Sequence, residues 1–383
     1  MPRRLRIEDY PWDTVDATKA FIRQLFAGPP PGRPAAILHC SDGSAPEPSP
    51  EGLTALQQQV WHATQAIRAR PVGGDDYVPA LATGAGTCAL ATAFGCQEIE
   101  ASGVRWVKPV ITSPDQIDSL RKPKMTAGRL GEVLEQTRAY ADCADERLAI
   151  QIMDFQSPFT TVEQLVGGEA FFLMPHDHPA RLHALMDLVT DFAIEFFRAQ
   201  IEAAGPACSR GSWPPIWFPA EAGIQMSDDN LVNVSPETYE EFVVPYNNRI
   251  ARAFGGLFLH SCTIREAHLP VLKKLERLTG LNCDISSSVP IATLSREFGD
   301  RAVIAPHAYI NTGGRYRGYR EFMEDILAPW HPGQRLFIYP CTVLYLPDEA
   351  REIAFDEPAA RAVLDRLPAW RQAHGRGRND GDR

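Results

Sequence analysis

Seven short apolar runs, at residues 77–82, 148–155, 222–226, 254–262, 281–286, 302–307 and 335–341, alternate with stretches of helical spacing, and this alternation limits the fold more than any other feature. Runs that are apolar throughout, with no polar residue at every second place, suit strands covered on both faces, as in a parallel sheet with helices outside it. Alternating strands and helices build such a sheet. The strand count and chain length predict an α/β fold, a (β/α)8 TIM barrel, with 34–40 as a candidate eighth strand. A doubly wound open sheet is the alternative. No G-x-G-x-x-G follows a strand and there is no P-loop, so nucleotide binding is not expected.

Helices are expected at 130–143, 179–204, 236–254, 263–278, 291–298, 319–330 and 357–373. The second carries Leu182, Leu185, Met186, Val189, Phe192, Phe196 and Phe197 at helical spacing, so its aromatic residues belong to a core. Residues 1–50 read as an N-terminal extension with a helix at 16–26 and a Pro/Gly/Ser-rich stretch. Residues 51–373 read as the barrel domain, and 374–383 as a disordered polar tail. The run GAGTCALATAFG at 84–95 suits close packing of small residues. Residues 96–124 lack a sustained period and read as a loop over one end of the fold.

A hydrophobic content of 44% is ample for a large core, and a net charge of −10 excludes a sequence-independent grip on nucleic acid. A small-molecule substrate is the expected partner. The opening MPRRLRIEDYPWD has no apolar run behind its basic residues, and no stretch approaches membrane-spanning length, so a cytoplasmic protein without membrane contact is expected. The eight cysteines are scattered without the spacing of a disulfide framework.

In a barrel, chemistry sits at the C-terminal ends of the strands. Those ends present Asp154, Asp228, Asp229, His260, Cys262, Cys283, Asp284, His307 and Cys341. His260 and Cys262 lie two apart and therefore share a strand face with Phe258 behind them. An imidazole and a thiolate so placed form a two-point clamp suited to zinc. Asp154 reads as either a substrate-holding carboxylate or a helix cap; Asp228 and Asp229 read similarly, with a merely capping or solvated role also open to Asp229, and His307 reads as a site or a rim histidine. Tyr246 and Arg249 are expected to pack or pair outside the barrel.

The segments GAGTCALATAFG, IQIMDFQSPF and DDNLVNVSPETYEEFVVPYNNRIARAFGGLFLHSC, with a cysteine far downstream, resemble the uroporphyrinogen decarboxylase-like superfamily, and within it the methylcobalamin-dependent methyltransferases. The resemblance implies a barrel and a zinc ion held by His260, Cys262 and Cys341 that activates a thiol; Cys283 is a rival third sulfur. It implies methyl transfer between a corrinoid and a thiol or other small molecule, and the strand ends offer Asp154, Asp228 and His307 as candidate catalytic residues. Because no D-x-H-x-x-G is present, the corrinoid is expected on a separate protein. A homodimer is an expectation from the resemblance alone. Two alternatives stand beside this reading. A metal-independent decarboxylase is disfavoured because no arginine occurs between Tyr77 and Cys96; a non-catalytic binding barrel would not keep the metal-type residues.

Overall fold

The computed structural model describes residues 4–38, 48–69, 74–101, 104–308, 315–316, 318–339 and 356–374. They form two compact units, one of residues 1–4, 80–213 and 217–278, the other of residues 5–79, 214–216 and 279–383. In chain order the strands are β1 (Ala35–Ala36), β2 (Ala80–Ala82), β3 (Gln97–Ala101), β4 (Val104–Lys108), β5 (Ala149–Gln151), β6 (Cys208–Ser209), β7 (Ile224–Ser227), β8 (Leu257–His260), β9 (Leu278–Asn282), β10 (Val303–Ile304) and β11 (Phe337–Ile338).

In the first unit β2, β5 and β6 pair in parallel, and the Gln225 N–H donates to the Arg210 carbonyl at 2.8 Å, which brings β7 alongside β6. Strand β6 is only two residues long. Beyond it the continuation of β5 meets β7 directly, with Gln156 bridged to Ser227. Strands β7 and β8 pair in parallel from Ile224↔Leu257 to Ser227↔His260. That register depends on Gly223, whose φ is +78°: a Cβ there would lie 2.0 Å from the Gly256 carbonyl oxygen, so only glycine lets the two strands start so close together.

The helix Pro179–Ala204 backs this unit, with Leu182, Leu185, Met186, Val189, Phe192, Phe196 and Phe197 all buried. Phe197 stacks on Phe155 at 4.0 Å, and each such buried ring contributes about 1.5–3 kcal/mol. From the same helix, Gln200 accepts the Met153 N–H at 3.3 Å and so fixes the backbone just before Asp154. Arg249 pairs with Asp187 and Asp191 on that helix, and the Tyr246 hydroxyl contacts His183 Nδ1 at 2.8 Å, so the outward pairing expected of Tyr246 and Arg249 is found.

In the second unit β9 pairs in parallel with β10, Ile304 bridges Leu336, and β11 pairs in parallel with β1. Strand β1 lies inside 34–40, the candidate for the eighth strand.

Three sequence expectations are corrected. Residues 96–124 do not form only a loop: β3 and β4 make an antiparallel hairpin there. Its alternation was masked because Ile99 and Trp106, a cross-strand pair, stay exposed instead of facing a core. The single helix at 236–254 divides into Pro236–Phe242 and Val244–Phe254, since Pro245 carries no N–H with which to continue the helix. The helix to 278 is replaced by a short turn, Glu266–His268, and Leu269–Leu272, because the chain reverses at Arg277, φ +50°, to begin β9.

Candidate metal centre

The β7–β8 register sets the C-terminal ends of these strands side by side, and the Asp228 N–H donates to the His260 carbonyl at 2.8 Å. Asp229 then follows directly, at the start of a short turn, Asp229–Asn233. Its Oδ1 lies 3.3 Å from His260 Nε2 and 3.2 Å from Cys262 Sγ, and Sγ lies 3.8 Å from Nε2. A carboxylate oxygen, an imidazole nitrogen and a thiol sulfur thus lie within 4.8 Å of one another, a donor set that could hold a metal ion. Sulfur, nitrogen and oxygen donors in this combination suit zinc or a related divalent ion. The same-face projection expected of His260 and Cys262 is present, with Phe258 buried behind them.

The cluster is polarised. Burial opposes charge on His260, but the hydrogen bonds and charges of Asp229 and Cys262 overcome it and raise the imidazole to about 10. Burial likewise opposes charge on Asp229, yet His260 and Cys262 hold its carboxyl below the usual range. The Trp213 and His260 rings meet at 6.2 Å and 85°. Cys262 is exposed and Asp229 half-buried, and both open into a cavity of about 560 Å³ that is also lined by Gln156, Glu163 and Trp106.

Beneath the cluster, Asp228 is fully buried. Its Oδ1 accepts from Ser157 Oγ at 3.0 Å, and its Oδ2 from Tyr239 Oη at 2.8 Å and Asn247 Nδ2 at 3.2 Å. Burial pushes its carboxyl up to about 6 despite these three donors. Both of its oxygens are therefore engaged away from the cavity, and its contribution to the site runs through its backbone.

Asp154 is half-buried; its Oδ1 accepts from Ser227 Oγ at 2.9 Å and its Oδ2 from Gln156 Nε2 at 3.0 Å. Burial raises its carboxyl. Ser227 in turn accepts from Gln225 Nε2 at 3.1 Å, and Gln225 Oε1 takes the Ser212 and Trp213 N–H groups, each at 3.3 Å. The chain from Gln225 to Asp154 ties β7, the continuation of β5 and the Ser212 and Trp213 backbone into one network.

His307 belongs to the second unit, where it is buried with Nδ1 3.4 Å from Asn282 Nδ2, and Asn282 also donates to Tyr339 Oη at 2.8 Å. Cys283 is buried in that unit. Cys341 lies outside the described residues, as do His39, Cys40 and the glycine pair at 313–314. The sequence left Asp229 open between a substrate-holding carboxylate, a cap and a solvated group and did not place it where it stands, between His260 and Cys262; Ser157, Ser227, Tyr239 and Asn247 were missed as site residues.

Residues 85–215 match the family described as uroporphyrinogen decarboxylase (URO-D). A methylated-thiol–coenzyme M methyltransferase of Methanosarcina mazei is 28% identical over 187 residues, 48% of this chain and 45% of that protein. A uroporphyrinogen decarboxylase of Nocardia farcinica is 27% identical over 160 residues, 40% of each chain. The matched stretch thus spans less than half the length of either curated relative. A solved methyltransferase from Methanosarcina mazei superposes with a TM-score of 0.64 over 91% of this chain and 98% of its own, at 16% identity. That likeness shows the fold, a (β/α)8 barrel. Among the described residues no helix is long and apolar enough to cross a membrane.

Proposed function

We propose, from a chain whose residues 85–215 match the uroporphyrinogen decarboxylase family, that the protein is a methyltransferase. It moves a methyl group between a corrinoid on a partner protein and a thiol or other small molecule, with a zinc ion held by His260 and Cys262. The observation that carries this reading is the convergence of Asp229, His260 and Cys262 beside one cavity, which Asp229 and Cys262 line. The donor set fits zinc, and Asp229 is a third candidate ligand beside Cys341. Zinc bound there would favour the thiolate form of a thiol substrate, the form that is nucleophilic.

The chain's own residues supply position. Asp229 holds His260 Nε2 on the cluster side, and the Asp228 N–H fixes the His260 carbonyl, so the imidazole is aimed before any substrate arrives. The Trp213 and His260 rings meet edge to face at 6.2 Å. Asp154, Ser227 and Gln156 hold the adjoining strand end in one hydrogen-bonded group. A cluster with a free thiol facing a cavity favours this reading over a metal-independent decarboxylase, which has no use for Cys262.

The test is demethylation of free methylcobalamin by zinc-loaded protein in the presence of small thiols, followed by absorbance. Thiol-dependent demethylation that disappears in Cys262→Ser is expected. No demethylation with any thiol, by protein that holds the metal, would overturn the proposal.

A further inference from the structure

The cavity in front of Cys262 carries an acceptor-rich wall that the metal site does not use. Glu163, on the helix Pro158–Val166, lines it half-buried, and its carboxylate has no hydrogen-bond or ion-pair partner among the described residues. Burial pushes that carboxyl up, as expected where nothing compensates its charge. Next to it, Gln164 donates through Nε2 to the Thr87 carbonyl at 3.4 Å, which leaves its buried Oε1 with no partner. A buried acceptor is ordinarily satisfied, so the unmet Gln164 Oε1, beside a half-buried carboxylate with no cation on it among the described residues, calls for a donor. Trp106, 57% exposed, adds an aromatic surface to the same cavity. A carboxylate, a bare amide oxygen and an indole together suit a cationic nitrogen.

The one positive group on this lining is Arg105. It is exposed, and the hairpin register sets it directly opposite Glu100, so its charge is offset within the strand pair. It does not reverse the preference of the wall behind it.

We propose that the small substrate methylated or demethylated at this site carries a cationic nitrogen, which binds at Glu163 and Gln164 while its sulfur faces Cys262. The substrate class is therefore an aminothiol or its methylated form, and a thiol bearing a sulfonate or carboxylate is disfavoured. This rests on the thiol reading above.

Isothermal titration of zinc-loaded protein with cysteamine, 2-mercaptoethanol and 2-mercaptoethanesulfonate separates the charge of the ligand from its sulfur. Cysteamine is expected to bind at least about tenfold tighter than 2-mercaptoethanol, and the sulfonate most weakly. The isosteric Glu163→Gln variant should bring cysteamine to within about threefold of 2-mercaptoethanol while leaving 2-mercaptoethanol unchanged, and Trp106→Ala should remove a smaller part of the advantage. Equal binding of the three thiols, tightest binding of the sulfonate, or a cysteamine preference that survives Glu163→Gln would overturn the inference and leave the thiol reading standing. Binding of none of them would remove the thiol reading, and this inference with it.

Discussion

Asp228 and Asp229 are chain neighbours at the end of one strand, yet they sit in two opposed environments. Asp228 points inward, where Ser157, Tyr239 and Asn247 saturate its oxygens and no solvent reaches it. Asp229 points toward the cavity, beside His260 and Cys262. The difference arises from the turn that begins at Asp229, which sends successive side chains apart. One carboxylate builds the platform and the other stands on it. A carboxylate's place in a motif therefore says less about its role than the number of donors already pointing at it.

The largest expected effect separates the two. Asp228→Ala takes the shared acceptor from two hydroxyls and an amide in the interior, and should lower unfolding free energy by about 3–5 kcal/mol in denaturant titrations. The backbone N–H that holds His260 survives this change, so metal content per folded chain should not fall. Asp229→Asn should instead act first on the metal, with affinity reduced by roughly 100-fold and a smaller loss of stability than Asp228→Ala. A shared response in both variants would erase the distinction.

The pH dependence sharpens it. Asp228 titrates at about 6 in the folded protein against 3.8 for an unperturbed carboxyl, so between those values the native state keeps a proton that the unfolded chain has released. Stability from this group is therefore fully present below about pH 4 and declines as pH rises to about 6, by on the order of 2–3 kcal/mol. Denaturation curves across that window should show this decline in the wild type, and Asp228→Asn should lack it.

Tyr239→Phe removes one donor from the platform and should cost about 1–2 kcal/mol with metal content unchanged. Ser227→Ala loosens the link between Gln225 and Asp154 beside the cluster; it should weaken metal binding by about tenfold and barely move stability.

Much of this was legible from the residues. The strand ends named Asp154, Asp228, His260 and Cys262, because a parallel α/β sheet puts its polar residues there and a spacing of two fixes a shared face. What was not legible depended on contacts between strands. Asp229 gained its role from the β7–β8 register, which Gly223 permits through a close approach that no local pattern reveals. Tyr239 and Asn247 lie eight residues apart, on two helices separated by a proline break; Asn247 Nδ2 donates to Tyr239 Oη at 3.2 Å, and both donate to Asp228. The β3–β4 hairpin escaped because its apolar residues face the cavity and solvent, so burial did not enforce a strand signal.

The most direct measurement of the central claim is elemental analysis of the wild type beside Cys262→Ser and Tyr239→Phe, each purified without added metal. About one zinc per chain in the wild type and in Tyr239→Phe, lost in Cys262→Ser, is the result this account predicts. A wild type without metal, or a Cys262→Ser protein that binds as much as the wild type, would contradict it.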